Sequence, residues 1–208
     1  MTTLLLVPSA WECSQLSPPS DAGVELSQCG VGLVSAGLHA ARRLAAGDVR
    51  RCVLAGLAGT RDPDRAPPGT LIEGTAVRNE GIGAGRGAGF LPLGEMGLKG
   101  EDLPPDELPL ERADLPGAVC GVIGSVAAAS GSPEEAEAWH ARDPEVLAEE
   151  MEAYAVALVC ERNRIPLTVL RAVSNIAGHR DWSEWNLDGA IAALDTGLAA
   201  LLGPGGKR

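Results

Sequence analysis

Aromatic side chains are scarce in this chain, at 3% of residues, with a single Phe and a single Tyr. A site that stacks flat ligands therefore has few rings to draw on. Long hydrophobic runs are missing too. Stretches such as 119–129 are too short and too rich in Gly and Ala to cross a bilayer, so no membrane role is expected. Basic residues are outnumbered, with 17 Lys and Arg against 28 Asp and Glu, for a net charge of −11. Such a surface does not track a phosphate backbone, so nucleic acid is not an expected partner. Plain solubility accounts for the same charge.

Recurrent chemical motifs are absent as well. The five cysteines (Cys13, Cys29, Cys52, Cys120, Cys160) are scattered and form no C-x-x-C. They read as buried thiols of a reducing cytoplasm, not as a disulfide framework or zinc site. The three histidines, His39, His140 and His179, have no metal-ligand spacing. There is no Walker motif, H-E-x-x-H or G-x-S-x-G. Neither a metal nor another cofactor is expected.

What is present is a core former: 45% of the 208 residues are hydrophobic. That suits one domain over 1–203, with 204–208 as a tail. Apolar runs predict strands at 3–7, 24–29, 51–57, 71–78, 118–127 and 167–173. The first has no basic segment before it and reads as a buried strand, not a signal peptide. Helices are expected at 33–46 with Gly47 as C-cap, from Ser132-Pro133 onward, at 148–162 and at 187–202. No regular element is assigned within 79–117. Strands alternating with helices predict an α/β fold, three layers αβα around a central mixed sheet.

Four groups of residues are candidates for chemistry. Glu149-Glu150-Met151-Glu152 reads as an acid-loaded first helical turn that abuts apolar residues. A carboxylate there is partly buried and needs donors, such as two vicinal hydroxyls. Arg171-Ala-Val-Ser174-Asn175 leaves an apolar strand at its carboxyl end, where open α/β sheets bind ligands. A simple capping turn is an equal alternative. Glu12 is the carboxylate near the end of strand 3–7, in a loop that a solvated acid would also occupy. Ala55-Gly-Leu-Ala58-Gly59 is small enough for backbone to approach a ligand, and Gly30-Val-Gly32 opens a helix.

Taken in order, Glu150-Met-Glu-Ala, Ile165-Pro166 and Arg171-Ala-Val-Ser-Asn175, with the two glycine segments, resemble the purine nucleoside phosphorylase/methylthioadenosine nucleosidase superfamily. The run 174–181 with Trp185 resembles its futalosine hydrolase branch. The resemblance implies the superfamily fold and hydrolysis of a purine N-glycosidic bond, with a small purine nucleoside as partner and a homo-oligomer as assembly. Glu152 would bind the ribose hydroxyls beside Met151 and Glu150, and Ala58 and Gly59 would line the sugar pocket. Arg171 and Glu12 would hold the attacking water. Asn175, oriented by Ser174, stands where adenine-specific relatives carry Asp, which implies a 6-oxo purine such as hypoxanthine. Segment 13–29 is shorter than the resemblance implies. A methylthioadenosine-type nucleosidase, a phosphorylase using Arg61 for phosphate, and a non-catalytic nucleoside binder are the alternatives.

Overall fold

The computed structural model describes residues 2–19, 23–98, 100 and 103–203. The expected tail, 204–208, lies outside the described residues. Strands are β1 (Thr2–Val7), β2 (Val24–Gln28), β3 (Val49–Thr60), β4 (Leu71–Asn79), β5 (Gly83–Ala84), β6 (Leu91–Pro92), β7 (Glu107–Pro109), β8 (Val119–Ser125), β9 (Val146–Glu150) and β10 (Leu167–Ile176). Helices are α1 (Ala10–Gln15), α2 (Leu33–Leu44), α3 (Pro133–Arg142), α4 (Ala153–Asn163) and α5 (Leu187–Leu202).

The main sheet is mixed and curls until it meets itself. Its order is β10-β4-β8-β9-β3-β1-β2, and β10 also pairs with β3. The partners of β10 differ in direction: β3 lies parallel to it and β4 antiparallel. Helices cover both faces, as expected for three layers. On one face α2 and α4 supply Ala36, Ala40, Val156 and Cys160 to a core with Leu4, Leu6 and Leu54 of the sheet. On the other, α5 supplies Leu194, Leu198 and Leu201 to a core with Leu5, Val7, Val53 and Leu170. This explains why the central strands read as unbroken apolar runs. Successive side chains alternate between two buried faces, and each buried Leu stabilises by roughly 1.5–3 kcal/mol.

Local signals set several boundaries. Ser132 caps α3 by accepting from the Glu135 backbone N–H, with Pro133 in the first turn. Gly47 has φ 74°, the left-handed conformation expected where α2 stops.

Three expectations change. Residues 148–150 are strand, not helix: β9 is wholly buried and pairs with β3 and β8, so the helix begins only at Ala153. Glu12 lies in a short helix, not a loop. Within 79–117, where no element was assigned, β5, β6 and β7 form short pairings, two of them with each other and one with β4.

Candidate functional site

A cavity of about 610 Å³ opens where the parallel strands β1, β3 and β10 end. It is bordered by Glu12, Ala58, Gly59, Glu150, Met151, Glu152, Ser174 and Asn175. These eight are among the nine residues singled out from the sequence. The ninth, Arg171, lies directly behind them.

Arg171 is completely buried at the centre of β10. Its Nη2 donates to Glu150 Oε2, and to Glu152 Oε2 at 3.1 Å. In the β10–β3 register it sits opposite Gly56. A Cβ on Gly56 would collide with Arg171 Nη1 and would stand 3.0 Å from Glu12 Oε1. Gly56 therefore yields its side-chain space to the guanidinium. The small residues of the 55–59 segment thus also make room for a protein group, while Ala58 and Gly59 border the cavity. Arg171 Nε and Nη1 make no hydrogen bond with protein groups. Buried guanidinium donors require an acceptor, and Nη1 faces the same point as Glu12 Oε1.

Glu12 is held by its own turn. Ser9 Oγ accepts from the Glu12 N–H at 3.1 Å, while Glu12 Oε2 accepts from Ser9 N–H at 3.0 Å and Ser9 Oγ–H at 2.6 Å. This capping box fixes the carboxylate at the start of α1. Its second oxygen, Oε1, accepts from the Leu57 N–H at 3.0 Å. The acid is buried and fully oriented, although it follows Pro8 in a segment that reads as loop.

Glu150 and Glu152 divide the work. Glu150 accepts from Ser125 Oγ, from Arg171 and from the N–H groups of Glu152 and Ala153. It thereby caps α4 and ties β8, β9 and β10 together. Its carboxylate borders the cavity, but its oxygens are engaged by protein donors. Glu152 accepts once from the Gly32 N–H at 2.8 Å and once from Arg171. One hydrogen bond per oxygen leaves acceptor capacity toward the cavity. Burial pushes the Glu152 pKa up, to about 7, against the pull of Arg171; Glu150 and Glu12 push in the same direction as burial. Burial alone disfavours the Arg171 cation, yet Glu150, Glu152 and Glu12 together hold its pKa above the ordinary value.

Ser174 and Asn175 remain in β10, which extends to Ile176 instead of ending at 173. The β3 pairing skips one residue, from Val173↔Ala58 to Asn175↔Gly59. Ser174 is thus the extra residue of a β-bulge, a device that re-aims side chains. Its Oγ donates to Asn175 Oδ1 at 2.8 Å, and Asn175 Nδ2 donates to the Ile176 carbonyl at 2.8 Å. One Nδ2 proton remains for a ligand.

Arg61, the phosphate candidate, is fully buried and committed elsewhere. It pairs with Glu80 at 2.8 Å and Glu149 at 3.1 Å, and its guanidinium lies 5.0 Å from the Trp139 ring centre. Sequence reasoning did not single out Ser9, Trp11, Arg180 and Trp182, which also border the cavity. Ser9 had a readable signal, the S-x-x-E spacing to Glu12.

Two outcomes test this geometry. Gly56→Ala is expected to displace Arg171 and lower stability by about 1–3 kcal/mol in chemical denaturation. Gly89→Ala, where a Cβ meets nothing within 4 Å, is expected to change it by no more than about 0.5 kcal/mol. Equal stability of the two variants would remove the steric role of Gly56. The second outcome concerns pH. Between the ordinary value of 4.5 and about 7, folded Glu152 keeps a proton that the unfolded chain has lost. Its contribution to stability is thus full below 4.5 and is lost as pH rises through 7. The difference in thermal midpoint between the parent protein and Glu152→Gln should change across that window; a constant difference would contradict the raised pKa.

Comparison with known proteins places this geometry in a family. The model of the phosphorylase superfamily matches residues 21–201. The chain is 35% identical over 150 residues to a futalosine hydrolase of Streptomyces coelicolor, covering 72% of this chain and 63% of that one. It is 34% identical over 140 residues to a futalosine hydrolase of Acidothermus cellulolyticus, covering 64% and 57%. The aligned stretches thus span less than two thirds of either relative. A 5′-methylthioadenosine/S-adenosylhomocysteine nucleosidase of Marinomonas sp. is 30% identical over 162 residues, covering 74% and 69%. Among solved structures, the nucleosidase of that type from Colwellia psychrerythraea superposes with a TM-score of 0.74 at 22% identity, covering 96% of this chain and 93% of its own. The enzyme from Neisseria meningitidis also gives 0.74, at 21% identity, with coverages of 95% and 96%. These structures share the fold, and the family match and the curated relatives show the kinship: the chain belongs to the phosphorylase superfamily.

Proposed function

We propose that this protein hydrolyses the N-glycosidic bond of a purine nucleoside, and that the nucleoside is futalosine, releasing hypoxanthine in menaquinone biosynthesis. The observation that carries the reading is the convergence of Glu12, Glu152 and Asn175 on one cavity, with Arg171 directly behind them. Names of relatives support the substrate.

In this reading, Glu152 accepts hydrogen bonds from the two ribose hydroxyls, with Met151 against the sugar and Ala58 and Gly59 lining its pocket. Glu12 and Arg171 Nη1 hold a water on the far side of the sugar. As the bond from the anomeric carbon to the purine nitrogen lengthens, the sugar gains oxocarbenium character and its electron pair passes to the base. Glu12 takes a proton from the attacking water as its oxygen bonds to the anomeric carbon. The departing purine anion takes up a proton from solvent while Glu12 returns its own to solvent, so that neutral hypoxanthine leaves. Asn175 cannot give up a proton; its free Nδ2–H stabilises negative charge on the departing base. A 6-oxo purine presents acceptors at both N7 and O6, which suits an N–H donor. Ser174 fixes the amide, and Glu150 holds Arg171 and the start of α4 in position.

Hydrolysis is favoured over phosphorolysis because Arg61 is consumed by Glu80 and Glu149. A methylthioadenosine-type activity is the second reading, favoured by the Marinomonas relative. We also infer a homo-oligomer. Val31, Val34 and Leu38 are 57%, 83% and 51% exposed along one side of α2 and the turn before it, and Val31 also borders the cavity. A second copy covering that stripe would buttress the site. Five free thiols fit the cytoplasm; among the described residues, no helix is long and apolar enough to cross a membrane.

Incubation with futalosine, inosine and methylthioadenosine, followed by chromatography for free base, tests the reading. Hypoxanthine from futalosine without added phosphate is the expected result, and release of adenine alone would overturn the Asn175 reading. Glu12→Gln is expected to lower kcat by about 10²–10⁴-fold with the fold retained by circular dichroism. Val34→Lys is expected to shift the sedimentation coefficient toward a monomer; a monomeric parent protein would defeat the oligomer.

A further inference from the structure

The mechanism leaves one wall of the cavity unused. Besides the glutamates, the lining is apolar and aromatic, with Trp11 and Leu57 beside Glu12 and with Trp182, Trp185 and Leu187 from the chain that follows β10. This is a notable concentration. The chain has four Trp, one Phe and one Tyr, and three of the four Trp border this cavity. Two are costly to leave in water: Trp11 is 45% exposed and Trp182 is 65% exposed. Trp182 and Trp185 stack with ring centres 4.2 Å apart and an interplanar angle of 22°. Trp185 Nε1 donates to the His179 carbonyl at 3.2 Å, which steadies the platform.

Arg180 completes the wall. It borders the cavity, and its Cζ lies 5.4 Å from the centre of the Trp185 ring. Among the lining residues it is the single cation, facing a cavity that also borders Glu12, Glu149, Glu150 and Glu152. The neighbouring acids are engaged with other groups. Glu184 pairs with His179 at 3.5 Å, and Asp181 accepts from Ser183 N–H and Oγ–H at 2.9 and 2.7 Å. Among the described residues, Arg180 has no carboxylate partner. A guanidinium poised on an indole face and open to a ligand is suited to a planar carboxylate.

We infer that Arg180, with the Trp182–Trp185 platform, is a specificity-determining group that recognises an aryl carboxylate on the 5′ side of the nucleoside. Base and ribose carry no anion, so neither explains an open cation here. A flat ring with a carboxylate meets both features at once: the ring lies against indole, and the carboxylate takes two guanidinium N–H bonds. The inference rests on the proposed futalosine reading, in which the 5′ arm is a carboxyphenyl ketone.

The test compares futalosine, its methyl ester and inosine on the parent protein, Arg180→Gln and Arg180→Lys. For the parent, esterification is expected to raise KM by about ten- to hundredfold, the scale of one charge-assisted pair. Arg180→Gln should raise KM for futalosine by a similar factor, leave inosine unchanged, and no longer distinguish acid from ester. Arg180→Lys should recover part of the loss, because it keeps the charge without the planar fork. Equal effects on futalosine and inosine, or a parent protein indifferent to the ester, would overturn the inference. Binding of 3-acetylbenzoate, read by quenching of Trp fluorescence in the parent and lost in Arg180→Gln, checks the slot without turnover. A failure of the nucleosidase reading looks different: no base is then released from any nucleoside, while that quenching persists.

Discussion

Arg171 has no exposed surface, and a guanidinium cannot shed its charge on burial. A cation in that position must be matched by acids, and removing one partner of such a group typically costs about 3–5 kcal/mol. Much of the surrounding architecture follows from this constraint. Glu150 and Glu152 arrive from β9 and the start of α4 to meet one Nη group. Gly56 vacates the space beside the other. Three carboxylates gather around one cation, and burial first, with the neighbouring acids Glu150 and Glu12 adding to it, raises the pKa of Glu152 against the pull of Arg171. The same grouping gives the proposed chemistry its character. With one hydrogen bond on each oxygen, Glu152 keeps acceptor capacity for hydroxyls, while the spare guanidinium donors suit a water held opposite Glu12.

Much of this was legible in the sequence, and the failures are informative. Order along the chain pointed to Glu12, Glu152, Arg171 and Asn175, and the structure brings all four to one place. The apolar runs gave the strands because β1, β3 and β10 are buried on both faces. Segment 148–150 misled because acids before an apolar run look like a helical first turn. In fact their partners come from far along the chain: Arg61 and Ser130 for Glu149, Arg171 and Ser125 for Glu150. No local pattern contains that information. Even so, Glu150 does serve a helix start, because it accepts from the Ala153 N–H.

The strand ends show a second limit. Asn175 looked equally like a turn residue, because Ser-Asn pairs favour turns. What decides the matter is a one-residue slip between β10 and β3, which turns Ser174 into the clamp of Asn175. A bulge depends on the partner strand and leaves little trace in its own sequence. Glu12 is the opposite case. Its capping box with Ser9 is a local signature, readable from spacing alone, and it explains how a short segment after Pro8 holds a buried carboxylate.

The charge of the cavity bears on which nucleophile it can admit. Four glutamates border it, and the one lining cation, Arg180, lies over the Trp185 ring. Arg61, directly after the end of β3, is locked into a buried network with Glu80 and Glu149. A phosphate ion would have to surrender its hydration to a space bordered by four carboxylates, where the one lining cation, Arg180, stands with the Trp185 ring. Water carries no such penalty. It needs only an acceptor and a donor, and Glu12 with Arg171 Nη1 offers both. On the proposed reading, the fold of a phosphorylase superfamily thus becomes hydrolytic through where its arginines are committed: one to the carboxylates that hold ribose, one to a structural network, and one to the far end of the substrate.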